Sequence, residues 1–323
     1  MATYDEIHGR RLEVLSSDPS NLGAGQIWYN SASGTVKGYV LAPGTVSAGG
    51  APGGNGGKTQ LGGCGTVTAG LIFGGEPTTT ATEEYDGTSW TNVNAAPTGG
   101  TDMGSAGTQT SALWVGGTNT LGNSYEYDGT NWTGGGSLGT AMRFAVGTCG
   151  TQTAAMLTGG YQTPPGTPSA IMQSYNGASW TTIPQTYPVS ADTPAFRTSG
   201  TQTAILSAGG NSSATTSKSW DGSSWTANNA LVTGVSAQVQ QGTQTASLCC
   251  TGHPAGPGSY STQIQEFDGT DWSSSPATFS TGRSQAAGGG TTASMFIANG
   301  APSVDATEEY TGPALATKTL TTE

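Results

Sequence analysis

The stretch Tyr85-Asp86-Gly87-Thr88-Ser89-Trp90 decides the fold, because its pattern returns along most of the chain. Each copy has an aromatic residue, then Asp-Gly or Asn-Gly, then Trp three residues later. Further copies begin at Tyr127, Tyr175, Trp220 and Phe267, and a degenerate sixth copy is Tyr310-Thr311-Gly312. Successive copies start 42 to 48 residues apart. A repeat of this length with a late Trp is typical of a β-propeller blade.

The first half of each copy repeats as well. An apolar run such as Leu71-Ile72-Phe73 ends at a glycine pair such as Gly74-Gly75, which predicts a buried strand. A Gly-Thr-Gln-Thr segment precedes this run at Gly107–Thr110, Gly150–Thr153, Gly200–Thr203 and Gly242–Thr245. We expect four strands per copy. The first is weakly marked, as at Met142–Gly147 or Ser284–Ala287, the second is the apolar run, the third ends in Tyr-Asp-Gly, and the fourth begins at Trp.

The Gly-Gly, Tyr and Trp positions resemble the kelch repeat family over residues 58–323. The resemblance implies an all-β fold, a six-bladed β-propeller that serves as a scaffold for binding. It implies no activity, because propellers host many functions. Two features depart from the family pattern. The Tyr-to-Trp spacing is one or two residues short, and the sixth copy has Leu315 in place of its Trp.

The first 42 residues differ in kind from the repeats. Two β-rich runs within residues 25–41, joined by Ser-Ala-Ser-Gly, predict a small β-hairpin. Its Gly-x-Ile-Trp-Tyr-Asn sequence resembles a segment near the N-termini of bacteriophage tail and fibre proteins. The resemblance implies an attachment role for Ile27, Trp28 and Tyr29. We therefore expect an attachment segment at 1–42, a flexible Gly/Pro-rich linker at 43–57 and the propeller at 58–323. In a competing interpretation, Ile27–Asn30 pairs with the sixth copy and closes the ring.

Charge and composition exclude several classes. The net charge is −11, from 20 acidic and nine basic residues, so phosphate-mediated binding of nucleic acid is not expected. The N-terminus lacks the basic and apolar regions of a signal peptide, and no stretch has the length of a membrane span. Glycine is abundant, with 53 residues, but regular aromatic positions argue against disorder. The four cysteines predict buried thiols rather than a disulfide framework.

The sequence predicts no catalytic, metal or cofactor site. Only two histidines are present, His8 and His253, and no Cys/His spacing suggests zinc. The Gly-x-Ser-x-Gly match at 135–139 has no helix signal after it, unlike a nucleophile elbow. In the blades of sialidases Gly follows Asp by two residues, whereas here it follows directly. Arg143 and Arg283 hold equivalent repeat positions, which favours a structural role.

Two insertions break the regular spacing of the repeats. The second glycine of the pair precedes the next aromatic by ten residues in four copies, but by fifteen in copies three and five. Both insertions lie between strands two and three, so we expect them to project from one face and frame a groove across copy four. Their side chains are the candidate ligand-binding residues: Tyr161, Gln162, Thr163, His253, Ser259 and Tyr260. A tolerated surface insertion remains the alternative.

Two classes of function follow from these features. The first is a non-enzymatic bacteriophage virion protein of tail or fibre type, made in the host cytoplasm. It would contact other tail or capsid proteins through residues 1–42, form a homo-oligomer in the particle and bind a host surface glycan or receptor. The second is a cellular or secreted kelch-type interaction module or carbohydrate-active propeller enzyme. The copper enzymes of that kind need clustered Tyr, His and Cys ligands, for which two histidines are too few.

Overall fold

The computed structural model describes residues 12–54, 56–119, 122–144, 147–162, 167–188 and 196–320. These residues form 29 strands and one short 3-10 turn at Asn211–Ser213, with no α-helix among them. The strands make seven sheets, six of four strands and one of five. The chain divides into two compact units, one of Met1–Gly44 with Gly312–Glu323, the other of Thr45–Thr311. The fold is all-β, as predicted, and consistent with a propeller.

The first unit contains one sheet, here called the terminal sheet, in the order β1-β2-β3-β29. Its strands are β1 (Glu13–Leu15), β2 (Ile27–Asn30), β3 (Thr35–Ala42) and β29 (Ala314–Thr319). The predicted hairpin is confirmed, because β2 pairs antiparallel with β3 from Ile27↔Gly38 to Asn30↔Thr35. On its two sides, β1 runs parallel to β2 and β29 antiparallel to β3.

The second unit contains six repeat sheets, numbered one to six along the sequence. The strands of the first three are β5 (Gly62–Thr66), β6 (Ala69–Phe73), β7 (Thr82–Tyr85), β8 (Trp90–Asn92), β9 (Gly104–Thr108), β10 (Ser111–Val115), β11 (Ser124–Tyr127), β12 (Trp132–Gly134), β13 (Met142–Arg143), β14 (Thr148–Thr151), β15 (Ala154–Gln162), β16 (Thr167–Tyr175) and β17 (Trp180–Thr186). Sheets one and two have four strands each, and sheet three has five.

Sheets four to six follow the same plan. Their strands are β18 (Arg197–Thr201), β19 (Ala204–Ala208), β20 (Ser217–Trp220), β21 (Trp225–Ala227), β22 (Val239–Gly242), β23 (Ser247–Cys250), β24 (Gln263–Phe267), β25 (Trp272–Thr278), β26 (Ala287–Gly290), β27 (Ser294–Ala298), β28 (Thr307–Thr311) and, from before sheet one, β4 (Thr45–Gly49). Sheet six therefore has the order β26-β27-β28-β4.

The hydrophobic core lies between successive repeat sheets rather than at one centre. Six clusters of buried side chains occupy the junctions. At the first junction Phe73 of sheet one stacks on Trp114 of sheet two, with ring centroids 5.4 Å apart. The last junction returns from sheet six to sheet one, where Phe296 packs in one cluster with Ile72. The six sheets thus contact each other in a closed cycle.

The glycine pairs hold this cycle together through the backbone. In repeats one, two, four, five and six, the second position of the pair donates its N–H to a carbonyl at or before the start of the next sheet, as in Gly75 to Gly100 O at 2.9 Å. Gly300 of sheet six donates to Lys58 O before sheet one at 2.9 Å. Gly300 has a φ of 109°, and a Cβ there would lie 2.7 Å from Ser284 O. A positive φ and a close backbone approach together require glycine.

The first strand of each sheet lies closer to the glycine-threonine segment than predicted. We expected strands at Met142–Gly147 and Ser284–Ala287, whereas the main first strands are β14 and β26. Among the described residues of the first range, the two-residue β13 is the only strand. First strands are crowded and so contain small residues: a Cβ at Gly63 would lie 2.8 Å from Ala287 Cβ. Small residues give no hydrophobic pattern in the sequence.

The expected linker 43–57 is not a separate flexible segment. Its residues Thr45–Gly49 form β4, which pairs with β28 from Thr311↔Thr45 to Thr307↔Gly49. Glu83 Oε1 then accepts hydrogen bonds from the N–H groups of Gly53 and Gly54, both at 2.8 Å. The alternative closure by Ile27–Asn30 is wrong, since β2 pairs with β1 and β3. The propeller boundary expected at 58–323 likewise differs from the observed unit, because β29 belongs to the terminal sheet.

Candidate functional site

An open cleft of about 610 Å³ lies where the loops after strand two meet the linkers before strand one. Its wall is largely aromatic and polar. The lining residues are Arg143, Phe144, Tyr161, Asn211, Ser236, Ala237, His253, Pro257, Gly258, Tyr260, Gln285 and Ala301. They come from sheets three to six and their linkers, so both predicted insertions contribute to one cavity. Clefts of this size with aromatic walls are typical of small-molecule sites.

The predicted site residues separate into two groups. Tyr161, His253 and Tyr260 line the cleft, whereas Gln162 and Ser259 do not. Gln162 ends β15 and pairs with Thr167. Thr163 lies outside the described residues.

The first insertion lengthens a hairpin rather than forming an irregular loop throughout. Strands β15 and β16 have nine residues each, and their register shifts between Thr158 and Gly160. Beyond this bulge Tyr161 lies opposite Arg143 of β13, so the two side chains are on the same face of the sheet. The Tyr161 ring also contacts Phe144, with centroids 5.4 Å apart. Tyr161 is therefore fixed by sheet geometry.

The second insertion is organised around His253. Its Nδ1 lies 2.8 Å from Ser259 O and its Nε2 lies 2.9 Å from Ser284 Oγ, so both ring nitrogens are used by the fold. The Tyr260 ring packs beside the imidazole at 5.4 Å. Ser213 of sheet four donates its hydroxyl to His253 O at 2.7 Å. These contacts position Tyr260 before any ligand arrives, which lowers the entropy cost of binding.

Sequence reasoning missed the linker residues of the cleft. Ala237 and Gln285 precede their first strands at equivalent positions, and Phe144 lies one position earlier in its own repeat. The φ values of Phe144, Ala237 and Gln285 are 56°, 54° and 53°. The Gln285 N–H donates to Ala237 O at 2.8 Å. The left-handed conformation is uncommon for residues other than glycine and is found at functional sites. Because the three residues have different side chains, no motif marked them in the sequence.

The four other arginines and lysines of Thr45–Thr311 are occupied by the fold, unlike Arg143. Arg283 is buried and pairs with Glu308, which explains its repeat position as structural. Lys58 and Lys218 donate to the carbonyls of Pro77 and Pro188. Arg197 Nε donates to Gln238 O at 3.0 Å. Arg143 is exposed, and its guanidinium carbon lies 4.7 Å from the centroid of the Phe144 ring.

A second, narrower cavity of about 200 Å³ is lined by the first strands of the six repeat sheets. Arg197 and the thiols Cys64 and Cys149 border it. Burial raises the pKa of both thiols to about 12, so they are unreactive at neutral pH. All four cysteines are free and buried. Near this cavity, burial raises the pKa of the Asp102 carboxyl to about 6, opposed by the charges of Arg197 and Arg143.

Trp28, one of the three predicted attachment residues, is part of the terminal sheet's own core. Trp28 is fully buried, and its Nε1 donates to Asp18 Oδ1 at 3.1 Å. Asn30 Nδ2 donates to the same oxygen at 2.7 Å, and Lys37 Nζ pairs with Asp18 Oδ2 at 2.8 Å. Ile27, by contrast, is 43% exposed. Of the three predicted attachment residues, Ile27 presents the most surface to a partner.

No group of three His, Cys, Asp or Glu side chains among the described residues could hold a metal ion. No helix in the described part of the chain is long and apolar enough to cross a membrane.

Comparisons with known proteins bear on the fold. No protein-family model matches the chain, and no curated protein sequence matches it. The solved structure of a protein called YjhT is similar, with a TM-score of 0.62 over 83% of this chain and 95% of that one. The two share 15% sequence identity, so the likeness is one of fold.

Proposed function

We propose that this chain is a non-enzymatic bacteriophage virion protein of tail or fibre type, whose propeller binds a host surface glycan or receptor. The cleft carries the recognition part of this proposal. Both insertions reach it, and the rings of Tyr161 and Tyr260 line it. Flat aromatic faces stack on the apolar faces of sugar rings, and nearby amides suit the sugar hydroxyls. Affinity at one cleft is weak, and many copies on a particle compensate through avidity.

In this proposal Thr45–Thr311 is a six-bladed propeller, with each repeat sheet as one blade. The closed cycle of sheet contacts supports the blade count, including the junction of Phe296 with Ile72. The terminal sheet is then a separate element of the protein. The kelch-like repeats are the scaffold that brings both insertions to one face.

The terminal sheet is proposed to dock on other tail or capsid proteins, and the protein is proposed to form a homo-oligomer in the particle. Register places three apolar side chains on one face of this sheet: Val14, Ile27 and Leu320. Val14 pairs with Tyr29, which lies two residues after Ile27 and so points to the same face. Tyr29 pairs with Val36, and the Leu320 N–H donates to Val36 O, so Leu320 lies opposite Val36 on that face. These three side chains are 65%, 43% and 39% exposed. Exposed apolar faces of this kind mark interaction sites. The N-terminal motif supplies the phage context.

The recognition part is tested by adsorption of purified particles to host cells. Tyr161→Ala and Tyr260→Ala, singly and together, are expected to slow adsorption while the melting temperature stays unchanged. Tyr125→Ala, which removes a half-buried tyrosine outside the cleft, is the matched control. Normal adsorption by the folded double variant would refute a receptor site in the cleft.

The virion part is tested independently. Mass spectrometry of purified particles should detect the chain, and deletion of residues 1–42 should abolish its incorporation. Absence of the full-length chain from particles would favour the cellular or secreted kelch-type alternative. Turnover of a bound glycan by the isolated protein would favour the carbohydrate-active enzyme.

A further inference from the structure

Resting on the proposed glycan-binding cleft, we infer that the ligand is an acidic glycan whose carboxylate pairs with Arg143. The class of ligand is a sugar residue that carries a carboxylate, such as a uronic acid. Arg143 is the specificity-determining residue of this site. Three features of the cleft support this assignment. They are the positive charge of Arg143, the contacts that hold its guanidinium in place and the uncharged side chains on the remaining walls.

Charge distinguishes the cleft from the rest of the molecule. The chain carries 20 acidic and nine basic residues, so its average surface repels an anionic ligand. The residues that line the cleft include one arginine and no aspartate or glutamate. In the described part of Thr45–Thr311, Arg143 is also the single exposed arginine or lysine without an ion pair or a carbonyl partner. The charge of Arg143 does oppose the rise in the pKa of Asp102, but Asp102 is buried, makes no ion pair with Arg143 among the described residues and does not line the cleft. An exposed cation without an ion pair attracts anions.

Among the described residues, a paired strand and an aromatic ring hold the Arg143 guanidinium in place, and none of them forms a hydrogen bond with it. Arg143 lies opposite Tyr161 in the sheet, and the Phe144 ring lies 4.7 Å from its Cζ. Stacking on an aromatic face orients the planar guanidinium and leaves its edge N–H groups free for a carboxylate. Arg and carboxylate geometries match in a two-point hydrogen bond. Lysine has no such planar fork.

The remaining walls suit the uncharged part of a sugar. Tyr260 and Tyr161 offer ring faces, while Asn211 and Gln285 offer side-chain amides to hydroxyl groups. Both nitrogens of His253 are already engaged with Ser259 and Ser284, so its role is to hold the loop. The acidic group is therefore directed to Arg143.

The experiment compares acidic glycans with neutral forms of the same glycans. Uronic-acid-containing capsular and O-antigen polysaccharides are immobilised on an array and probed with the full-length protein. Each bound polysaccharide is then carboxyl-reduced to its neutral form and tested again, and dextran sulfate serves as a non-carboxylate polyanion. Arg143→Gln removes the charge and Arg143→Lys removes the planar fork. Lys318→Gln, in the terminal sheet, changes the net charge equally and is the matched control.

We expect carboxyl reduction and Arg143→Gln each to weaken binding about tenfold, as for loss of one charge-assisted hydrogen-bonded pair. Arg143→Lys should recover part of this loss, and Lys318→Gln should bind as the unmodified protein does. Added salt should weaken binding by the unmodified protein more than by Arg143→Gln. Binding lost in Tyr161→Ala but kept in Arg143→Gln would overturn the acidic ligand and leave the glycan site intact.

Three other results would also overturn the inference. One is equal affinity for the acidic polysaccharide and its carboxyl-reduced form. Another is equal binding of dextran sulfate. The third is binding of no array member, together with normal particle adsorption by the folded tyrosine double variant. The third result also refutes the proposed glycan site, whereas the first two refute only the acidic nature of the ligand.

Discussion

Tyr85 donates its phenolic hydroxyl to Glu309 Oε1 at 2.6 Å, joining sheet one to sheet six across 224 positions of sequence. The same contact joins three other pairs of neighbouring sheets: Tyr127 with Glu84, Tyr175 with Glu126 and Tyr310 with Glu266. In each pair the glutamate directly precedes the aromatic residue of the previous repeat. Repeats four and five have Trp220 and Phe267 instead of Tyr, and the repeats before them have Ser174 and Ser219 instead of Glu. A repeat therefore has the tyrosine only where the repeat before it has the glutamate.

Tyr127→Phe and Glu84→Ser should each lower the free energy of unfolding, by about 1.5 kcal/mol, because each leaves its partner's polar group without this bond. The double variant should lose less than the sum, with a coupling of about 1 kcal/mol. Urea unfolding of the four proteins measures the cycle. Tyr125→Phe, whose hydroxyl meets no carboxylate, should be close to neutral. Strict additivity would show that the Tyr127–Glu84 contact contributes no coupling.

Alkaline pH should destabilise the protein through these tyrosines. Burial, followed by the bond to glutamate, raises the pKa of Tyr85 and Tyr175 from 10 to about 12. A raised pKa in the folded state gives stability that is complete below the unfolded value and is lost as pH rises towards the folded one. The free energy of unfolding should therefore fall between pH 10 and 12. In the double variant Tyr85→Phe/Tyr175→Phe the free energy of unfolding should fall less over this pH range. An unchanged dependence on pH would show that the two tyrosines do not cause the loss of stability.

Gln152→Ala should destabilise the protein by about 2 kcal/mol, because two buried carbonyl groups lose their donor. Gln152 Nε2, from the Gly-Thr-Gln-Thr segment of repeat three, donates to Ala112 O at 3.0 Å and to Tyr127 O at 2.7 Å in sheet two. The sixth repeat has Thr292 at this position. Thr292→Ala is therefore the control, with an expected change below about 0.5 kcal/mol. Equal melting temperatures for the two variants would refute this inter-sheet role.

Asp102→Asn should stabilise the protein above pH 6 and leave it unchanged below pH 4. Burial raises the pKa of this carboxyl from 3.8 to about 6, so the folded state binds the proton more tightly. Stability is then lost as pH rises through that interval, which corresponds to up to about 3 kcal/mol at neutral pH. Asparagine also tolerates the φ of 56° at this position. Thermal unfolding at pH 4 and pH 8 measures the difference, and an equal shift at both would contradict the titration.

Hydrophobic and turn signals were sufficient to predict the repeat unit. The apolar run 71–73, the Asp86-Gly87 turn and Trp90 all have their expected places in sheet one. The Asp86 carboxylate accepts hydrogen bonds from the N–H groups of Thr88 and Ser89, both at 2.8 Å. The repeated Asp-Gly therefore marks a tight turn between strands three and four. The two insertions were likewise visible as breaks in a fixed interval, and they do meet at one cleft.

Features that depend on distant contacts could not be predicted. The sequence of β4 cannot be told from a linker, because it has no clear strand pattern of its own. Its extended conformation depends on pairing with β28, which is distant in the sequence. Phe144 and Gln285 reach the cleft through left-handed linker residues with unlike side chains. Trp28 was predicted to be an attachment residue because a short motif does not reveal that its side chain is buried and donates to Asp18.

The position of β4 has a consequence for synthesis. This strand leaves the ribosome before any repeat sheet, yet its partner β28 is made some 260 residues later, as the interval from Thr45–Gly49 to Thr307–Thr311 shows. Until then its edge is unpaired, and an unpaired edge is open to wrong partners. Chains that stop early can build sheets one to five but leave β4 exposed. The final pairing with β28 therefore distinguishes finished chains from truncated ones.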